Sequence, residues 1–349
     1  MASRDGKGLS RRTFLGGLAL ASAAAALGER PESATAAVEP PPETTRLRIR
    51  SGDPACWAPM YVAEPLLRKE GFTDVQYVYA QSAEALAKIS REGAVDLSPG
   101  FSAAQMFDLE QLQAPLKILS GLHVGCYALV GSARVSSVRD LKGKTVWAGA
   151  FKNTGPHIFF STIVSYVGLD PRTDIQYAWV NKDEAMRQFR EGKIDAFISF
   201  PPWPRELIEQ GIGHLLIDTN SDKPWSQYFC CIVTGQNSFI ERNPIATRRA
   251  LRAILKAVDV VAHDPVLATE TVIAKKVRSE TEYTSILRSL KDIPYGKWRE
   301  YNPEDTIRFY ALRMRETGLI ETAPQEFIDR HADWRFIKEL KKEFRITAW

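Results

Sequence analysis

The sequence has few of the residues that most often carry catalysis or bind metal ions. It contains four cysteines and five histidines, and the histidines, at positions 123, 157, 214, 263 and 331, are not spaced as metal ligands. Neither G-x-S-x-G nor G-x-G-x-x-G occurs, and Gly143-Lys144-Thr145 follows Val138 where a phosphate-binding loop requires glycine. These absences predict a protein that is not an enzyme and uses neither a cofactor nor a metal ion.

The chain also lacks a large net charge. Its 46 basic and 42 acidic residues give a formal charge of +4, and without the first 36 residues 41 basic and 39 acidic residues leave +2. The one basic-rich stretch, Lys338–Arg345, is interleaved with Glu339 and Glu343 and is typical of a solvated helix face. Nucleic acid and anionic membranes are therefore not expected partners.

The apolar run Phe14–Leu27 is shorter than the roughly 20 residues that a membrane-spanning helix needs. It follows Arg11 and Arg12 and precedes Ala34-Thr35-Ala36. This order predicts a twin-arginine signal peptide over residues 1–36, cleaved near Ala36, and a periplasmic location. An ordinary secretory signal stays open because position 16 holds glycine where twin-arginine signals often carry lysine, and a membrane anchor is the less favoured alternative.

The four cysteines are Cys56, Cys126, Cys230 and Cys231. Export to an oxidising compartment allows disulfides, and three complete pairings are possible. Because Cys230 and Cys231 are neighbours in a predicted strand, a bridge between them is geometrically awkward. We expect small buried thiols with at most one disulfide, and export after folding weakens the case for an essential one.

After the signal, residues 37–45 form a proline-rich leader, which we expect to be an extended tether. From residue 46 onward, short strand-like runs alternate with helical ones, first up to residue 130 and again up to residue 233, which predicts an α/β protein with two mostly parallel sheets. Helices follow, including Pro244–His263 with apolar residues at helical spacing. We predict lobe I from residues 46–130 and 234–349, lobe II from residues 131–233, and a two-crossing hinge with a cleft between them.

Open α/β sheets bind ligands at the carboxyl ends of their strands. Polar and aromatic residues gather at these predicted ends, and each loop alone is also compatible with ordinary turn or cap chemistry. Lys152 precedes a helix start whose free N–H groups suit an electronegative group. The candidate ligand-binding residues are Asp53, Trp57, Gln81, Ser82, Phe101, Ser102, Lys152, Thr154, Gly155, Trp203, Trp225 and Tyr228.

Four stretches carry a resemblance to a known family: residues 63–72, 135–144, 189–197 and 333–336. The second and third of these stretches are the strongest, and the second contains the segment Asp140–Lys144. The chain resembles the solute-binding proteins of ATP-binding-cassette (ABC) importers of the nitrate, sulfonate and taurine type over residues 46–345.

This resemblance implies a type II periplasmic-binding-protein fold and a monomer that closes on a small solute by hinge motion. The implied partners are an ABC permease and its ATPase in the inner membrane. By position, the family's ligand contacts correspond to Asp53, Trp57, Gln81, Ser82, Phe101, Ser102, Thr154, Gly155 and Trp203.

The candidate loops favour an aromatic ligand. Lys152 is their only obvious basic residue and Asp53 is negative, whereas Trp57, Phe101, Trp203, Trp225 and Tyr228 offer flat apolar surfaces. We therefore rank an aromatic or heterocyclic, pyrimidine-like solute above nitrate, sulfonate or taurine.

Two other classes of function are compatible with the fold. Enzymes that make the thiamine pyrimidine share it and use a cysteine-rich motif, which Cys230-Cys231 partly resembles. The export signal and the absence of a fuller cysteine cluster favour binding over such catalysis. A sensory domain would predict a membrane-spanning or kinase segment.

Overall fold

The first of two five-stranded sheets begins with β1 (Arg46–Ser51), in which Leu47 and Ile49 alternate with arginines and are fully buried. The sheet also contains β2 (Asp74–Tyr79), β3 (Leu97–Phe101), β4 (Leu116–Val124) and β10 (Phe229–Gln236), in the order β2-β1-β3-β10-β4. Strand β10 is antiparallel to both of its neighbours, so four strands run one way and β10 runs against them.

The second sheet has the same plan. It contains β5 (Ala128–Gly131), β6 (Thr145–Trp147), β7 (Gln176–Tyr177), β8 (Ala196–Ser199) and β9 (His214–Asp218), in the order β7-β6-β8-β5-β9. Here β5 is the strand that opposes the others. The predicted α/β class with two mixed, mostly parallel sheets is confirmed.

These strands belong to a computed structural model that describes residues 39–79, 88–89 and 91–347. Residues from Pro41 onward form one compact unit. The signal-peptide prediction with Arg11 and Arg12, and the candidate residues Gln81 and Ser82, lie outside the described residues. Within the described residues, no helix combines the length and apolar character that crossing a membrane requires.

The chain crosses between the sheets twice, and both crossings come earlier than the predicted boundaries at 130/131 and 233/234. Strand β4 ends at Val124 and β5 begins at Ala128, while β9 ends at Asp218 and β10 begins at Phe229. The predicted boundaries therefore fall inside β5 and β10. An apolar strand looks the same in either sheet, so composition did not show which sheet each strand joins.

The two crossing segments pack against each other. Gly125 has a φ of +70°, and a Cβ on it would lie 2.8 Å from the Asn220 Cα, so a larger residue has no room there. The Cys126 N–H donates to Thr219 Oγ1 at 3.0 Å, and the Thr219 N–H donates to the Tyr127 carbonyl at 3.1 Å. The hinge is therefore a hydrogen-bonded pair of segments.

Helices cover both sheets. The α-helices among the described residues are Ala58–Val62, Glu64–Lys69, Ser102–Gln111, Gly155–Tyr166, Lys182–Arg190, Trp203–Glu209, Asn237–Arg242, Pro244–His263, Pro265–Ala274, Tyr283–Asp292, Pro303–Glu316, Pro324–His331 and Arg335–Glu343. Short 3-10 turns occupy Ala55–Trp57, Val138–Leu141, Trp225–Gln227, Glu280–Glu282 and Tyr295–Arg299.

The helix Pro244–His263 begins and ends as predicted, but its cap comes from the leader. The Glu43 carboxylate accepts hydrogen bonds from the N–H groups of Ile245 and Ala246, at 2.9 and 2.8 Å. Free N–H groups at a helix start attract a carboxylate, and this contact ties the end of the leader to the folded body. The prediction that all of residues 37–45 form a tether is wrong for this part.

Candidate functional site

A cleft of about 550 Å³ lies at the carboxyl ends of β1 and β3. One wall comes from the first sheet and the residues that follow its strands, Arg50–Pro54, Trp57 and Phe101 among them. The opposite wall comes from Phe200 and from Phe151–Pro156, which contains the start of the helix Gly155–Tyr166. Both sheets therefore contribute to one cavity.

Aromatic rings form the apolar part of the cleft. Phe101 and Phe200, from opposite walls, are stacked with ring centroids 5.3 Å apart. The Trp57 ring lies 6.1 Å from Phe101, and Tyr127 packs edge-on against Phe101 at 4.7 Å. Such surfaces favour contact with a flat apolar body.

Arg50 brings a cation into the cleft that the sequence analysis did not identify. It lies in β1, with its guanidinium carbon 5.1 Å from the centre of the Trp57 ring. No carboxylate of the described residues forms an ion pair with it, and burial lowers its pKa despite the charge of Asp108. The one sequence signal for Arg50 is the alternation in β1. Leu47 and Ile49 lie on one face of the strand, so Arg48 and Arg50 share the opposite face.

Asp108 lies on the same side of the cleft, in the helix Ser102–Gln111. Burial raises the pKa of its carboxyl to about 6, and Arg50 opposes that rise. The site therefore holds a carboxyl group that changes charge close to neutral pH.

Three buried hydrogen-bond donors of the cleft have no partner among the described residues. They are Arg50 Nε, Trp57 Nε1 and Gln105 Nε2. Gln105 lies across Gly100, which has no side chain to keep it away. A buried donor without a partner costs about 1–3 kcal/mol, and a ligand rich in acceptor atoms would recover that free energy.

The second wall adds a helix start. Thr154 Oγ1 donates to the Ala148 carbonyl at 3.1 Å, and a Cβ on Gly155 would lie 2.9 Å from the Phe101 ring. Glycine at this position lets the two walls approach closely. Lys152 lies exposed at the edge of the cleft, beside the N–H groups of the helix.

The structure brings half of the predicted site residues to this cleft: Asp53, Trp57, Phe101, Lys152, Thr154 and Gly155. Asp53 lies exposed at the mouth, where it accepts a hydrogen bond from the Tyr79 hydroxyl at 3.1 Å. Trp203 adjoins the cleft, with its ring 4.9 Å from Phe200.

Ser102, Trp225 and Tyr228 are not part of the cleft. The Ser102 hydroxyl is buried and donates to the Phe229 and Cys230 carbonyls, at 2.6 and 3.1 Å. Trp225 is buried against other rings, and Tyr228 stacks on Phe309 at 4.0 Å beside a separate cavity. Aromatics in proline-rich loops were interpreted as cleft walls, but the helix Pro303–Glu316 covers these two.

Ion pairs join the two lobes beyond the cleft. Arg205 pairs with Asp292, and Arg288 pairs with Glu209 at 2.6 Å. The helix Trp203–Glu209 packs on the second sheet, and the helix Tyr283–Asp292 packs on the turn Ala55–Trp57 and on the helix Pro265–Ala274. These pairs favour the arrangement in which both walls face the same cavity.

Two sheets of this topology, joined by two crossings around a cleft, define the periplasmic-binding-protein fold. The nitrate-binding protein NrtA of Synechocystis matches the structure with a TM-score of 0.68 and 13% identity, over 88% of this chain and 91% of that one. The aliphatic sulphonate binding protein SsuA of Escherichia coli matches with a TM-score of 0.63 and 16% identity, over 84% and 92%. The desulfurization enzyme DSZB matches with a TM-score of 0.60 and 10% identity, over 86% and 99%.

The sequence places the chain within a family. The model of the NMT1-like family matches residues 40–276, and the chain belongs to that family. The nitrate/nitrite binding protein NrtA of Nostoc is 23% identical over 264 residues, which are 68% of this chain and 60% of that relative's length. The predicted resemblance to nitrate-, sulfonate- and taurine-type binding proteins is confirmed.

Proposed function

We propose that this protein is the solute-binding component of an ABC import system and binds a small organic solute in the cleft between its lobes. The observation that carries the proposal is the set of unpartnered donors around Arg50 inside a cleft walled by aromatic rings. It acts as a periplasmic monomer, after removal of its signal peptide near Ala36, and delivers the solute unchanged to a permease with its ATPase.

The chemistry of the cleft narrows the class of solute. Trp57, Phe101 and Phe200 favour the aromatic or heterocyclic body that the sequence analysis ranked first. Arg50 and the neighbouring donors add a requirement for an acceptor-rich or anionic edge. We therefore propose a pyrimidine-like or other heterocyclic solute that carries a carboxylate or a similar group.

Size supports an organic solute over a simple oxyanion. The cleft of about 550 Å³ lies in the range of small-molecule pockets. Nitrate would leave most of this space to water and would not contact both aromatic walls. A solute that reaches both walls stabilises the closed lobes, because only there do Arg50 and the helix start at Gly155 act on the same molecule.

A thermal-shift screen of the mature protein tests the proposal. The probes are pyrimidine-4-carboxylate, benzoate, unsubstituted pyrimidine, taurine and nitrate. A ligand present at 100 times its Kd adds about 2.7 kcal/mol of stability, so a large shift is expected with pyrimidine-4-carboxylate or benzoate. A large shift with nitrate or taurine and none with any aromatic probe would contradict the proposed solute class.

A second measurement separates transport from catalysis, since DSZB shows that an enzyme can have this fold. The bound probe is incubated with the protein, released by denaturation and analysed by mass spectrometry. We expect full recovery of the unchanged compound. Conversion of the probe would support an enzyme instead.

A further inference from the structure

Four potential metal ligands from separate parts of the chain meet in the interior of the protein. They are Cys56 in the turn Ala55–Trp57, His123 in β4, Cys126 in the first crossing and Cys231 in β10. Their ligand atoms all lie within 4.8 Å of one another, and all four side chains are buried. No metal site was predicted from the sequence, because these residues are not spaced as ligands along the chain and only the fold assembles them.

Strand pairing explains how two of the four come together. Cys231 lies opposite His123 across β10 and β4, and the register shifts between Phe229 and Cys231. Cys230 is the extra residue of this bulge, which interrupts the strict alternation assumed for neighbouring strand residues. The Cys230 Sγ lies 2.8 Å from the Cys126 Sγ.

The imidazole of His123 has the form that a metal ligand needs. Its Nδ1 lies 3.4 Å from the Val124 carbonyl, which can only accept, so a proton on Nδ1 would be donated to that oxygen. Nε2 is buried and has no hydrogen-bond partner among the described residues. The Tyr295 ring packs edge-on at 5.2 Å and fixes the imidazole plane. A carbonyl behind Nδ1 and a free lone pair on Nε2 are the usual arrangement of a zinc-bound histidine.

Binding of a divalent cation by this cluster is coupled to deprotonation, because the thiols must ionise and the imidazole must be neutral before they can act as ligands.

We propose that Cys56, His123, Cys126 and Cys231 form a buried Cys3His site for a divalent cation of the Zn²⁺ class. Thiolates and imidazole suit Zn²⁺, whereas Ca²⁺ and Mg²⁺ require oxygen ligands. With metal–sulfur bonds of about 2.3 Å, tetrahedral sulfur ligands lie about 3.8 Å apart, which small side-chain rotations can reach from the present spacing. Four protein ligands leave no open position, so the site is structural.

The site would fasten the hinge to the first sheet. Cys126 lies in the first crossing, and the other three ligands belong to the first lobe. Cys230 stays outside the set, with its Sγ 2.8 Å from the Cys126 Sγ. A small cavity of about 260 Å³ reaches Cys126 and offers a path for the cation.

Cobalt titration of the full chain, purified under reducing conditions and stripped with a chelator, tests this site. Co²⁺ bound by thiolates in a tetrahedral site gives an intense charge-transfer band and strong visible bands. We expect both to saturate at one Co²⁺ per chain, and one equivalent of Zn²⁺ to displace the cobalt and abolish them. Elemental analysis of the protein as purified should find zinc at the same ratio.

Variants identify the ligands. Cys231→Ser removes one of three thiolates and should reduce the charge-transfer band by about a third, with at least a tenfold loss of affinity. His123→Asn keeps the three thiolates, so the visible bands should shift while the charge-transfer band persists. Cys230→Ser is the matched control and should bind cobalt like the unaltered protein. Circular dichroism verifies folding, and His123→Asn provides the ligand test where a serine variant does not fold.

Three results would overturn the proposal. The first is a folded, reduced protein that gives no cobalt bands at one equivalent. The second is cobalt binding that is identical in the unaltered protein, Cys231→Ser and His123→Asn. The third is a Cys126–Cys230 disulfide in protein purified without reductant, found as a linked peptide by mass spectrometry, together with loss of cobalt binding in Cys230→Ser.

Discussion

Cys56 and Trp57 are neighbours in the chain but belong to two regions with opposite properties. Trp57 lines a cleft that solvent reaches, whereas Cys56 belongs to a cluster whose four members are all buried. Both regions hold a buried polar nitrogen that has no hydrogen-bond partner within the described part of the chain, Trp57 Nε1 in one and His123 Nε2 in the other. The cleft is open and lined by hydrogen-bond donors, which suits a solute that binds reversibly. The closed cluster of thiols and an imidazole suits a permanently bound metal ion.

This difference predicts that changes in the cleft reduce binding and leave stability intact, while changes around the cluster do the reverse. Arg50 provides the largest expected effect on binding. Arg50→Met should weaken binding of an anionic solute by about 10- to 100-fold, because hydrogen bonds to charged groups contribute about 1.5–3 kcal/mol. Calorimetric titration measures the affinity.

The thermal midpoint of Arg50→Met without ligand should be equal to or above that of the unaltered protein, since the change removes a partly buried charge without an ion pair among the described residues. Arg46→Met, at an exposed position of the same strand, is the control and should change neither quantity. Binding of Arg50→Met within twofold of normal would show that Arg50 does not contact the solute.

Gly125, beside Cys126, provides the largest expected effect on stability. Gly125→Ala places a Cβ 2.8 Å from the Asn220 backbone at a φ of +70°, and should destabilise the protein by about 3 kcal/mol. Gly143→Ala is the matched control, because Gly143 has a φ of +72° but nothing within 4 Å of the added Cβ. It should cost about 1 kcal/mol.

Chemical denaturation measures both glycine variants, and calorimetry measures their affinity for the solute. Near-normal affinity in the folded fraction of Gly125→Ala would sharpen the contrast between hinge and cleft. Equal destabilisation by the two variants would mean that the packing of the crossing segments adds nothing beyond backbone strain.

Asp108 makes binding in the cleft depend on pH. Its pKa of about 6 means that the carboxylate is charged at pH 7.5 and competes with an anionic solute for Arg50. As the pH falls through 6 the carboxyl becomes neutral, so affinity should rise about threefold between pH 7.5 and 5.5. Stability should depend on pH in the same direction. A carboxyl pKa that is raised in the folded state stabilises the fold below pH about 4, and this stabilisation is lost as the pH rises through 6.

Asp108→Asn should bind as tightly at pH 7.5 as the unaltered protein does at pH 5.5, with no further change on acidification. The solute chosen must have a carboxyl that stays ionised over this range. A pH dependence that persists in Asp108→Asn would assign it to another group.

The sequence predicted those parts of the fold that depend on local pattern. The alternation in β1 and the helical spacing of Pro244–His263 were sufficient for these elements, and the rule on strand ends was sufficient to find Asp53, Trp57 and Phe101. Arg50 was missed because it lies within a strand, where it was interpreted only as part of an alternating pattern.

Long-range packing decided the rest. Trp225 was misassigned because the helix that covers it, Pro303–Glu316, lies far from it in the sequence. The cysteine cluster was not predicted because Cys56, His123 and Cys231 are far apart in the sequence, and Cys231 meets His123 only through strand pairing. Patterns of neighbouring residues carry no information about such contacts.

The smallest effect concerns the ion pairs that join the lobes. Arg288→Ala removes the exposed pair with Glu209, and because exposed pairs contribute about 0.2–1 kcal/mol, affinity for the solute should fall about twofold. Salt screens exposed charges, so the difference from the unaltered protein should vanish in 1 M salt. Arg187→Ala is the control, since Arg187 pairs with Glu184 and Glu191 in its own helix, and calorimetry should find its affinity unchanged. Because Arg288 lies outside the cleft, a loss of affinity confined to low salt would show that the ion pair stabilises the closed lobes. An equal loss of affinity in Arg288→Ala and Arg187→Ala would instead attribute the effect to the change in net charge.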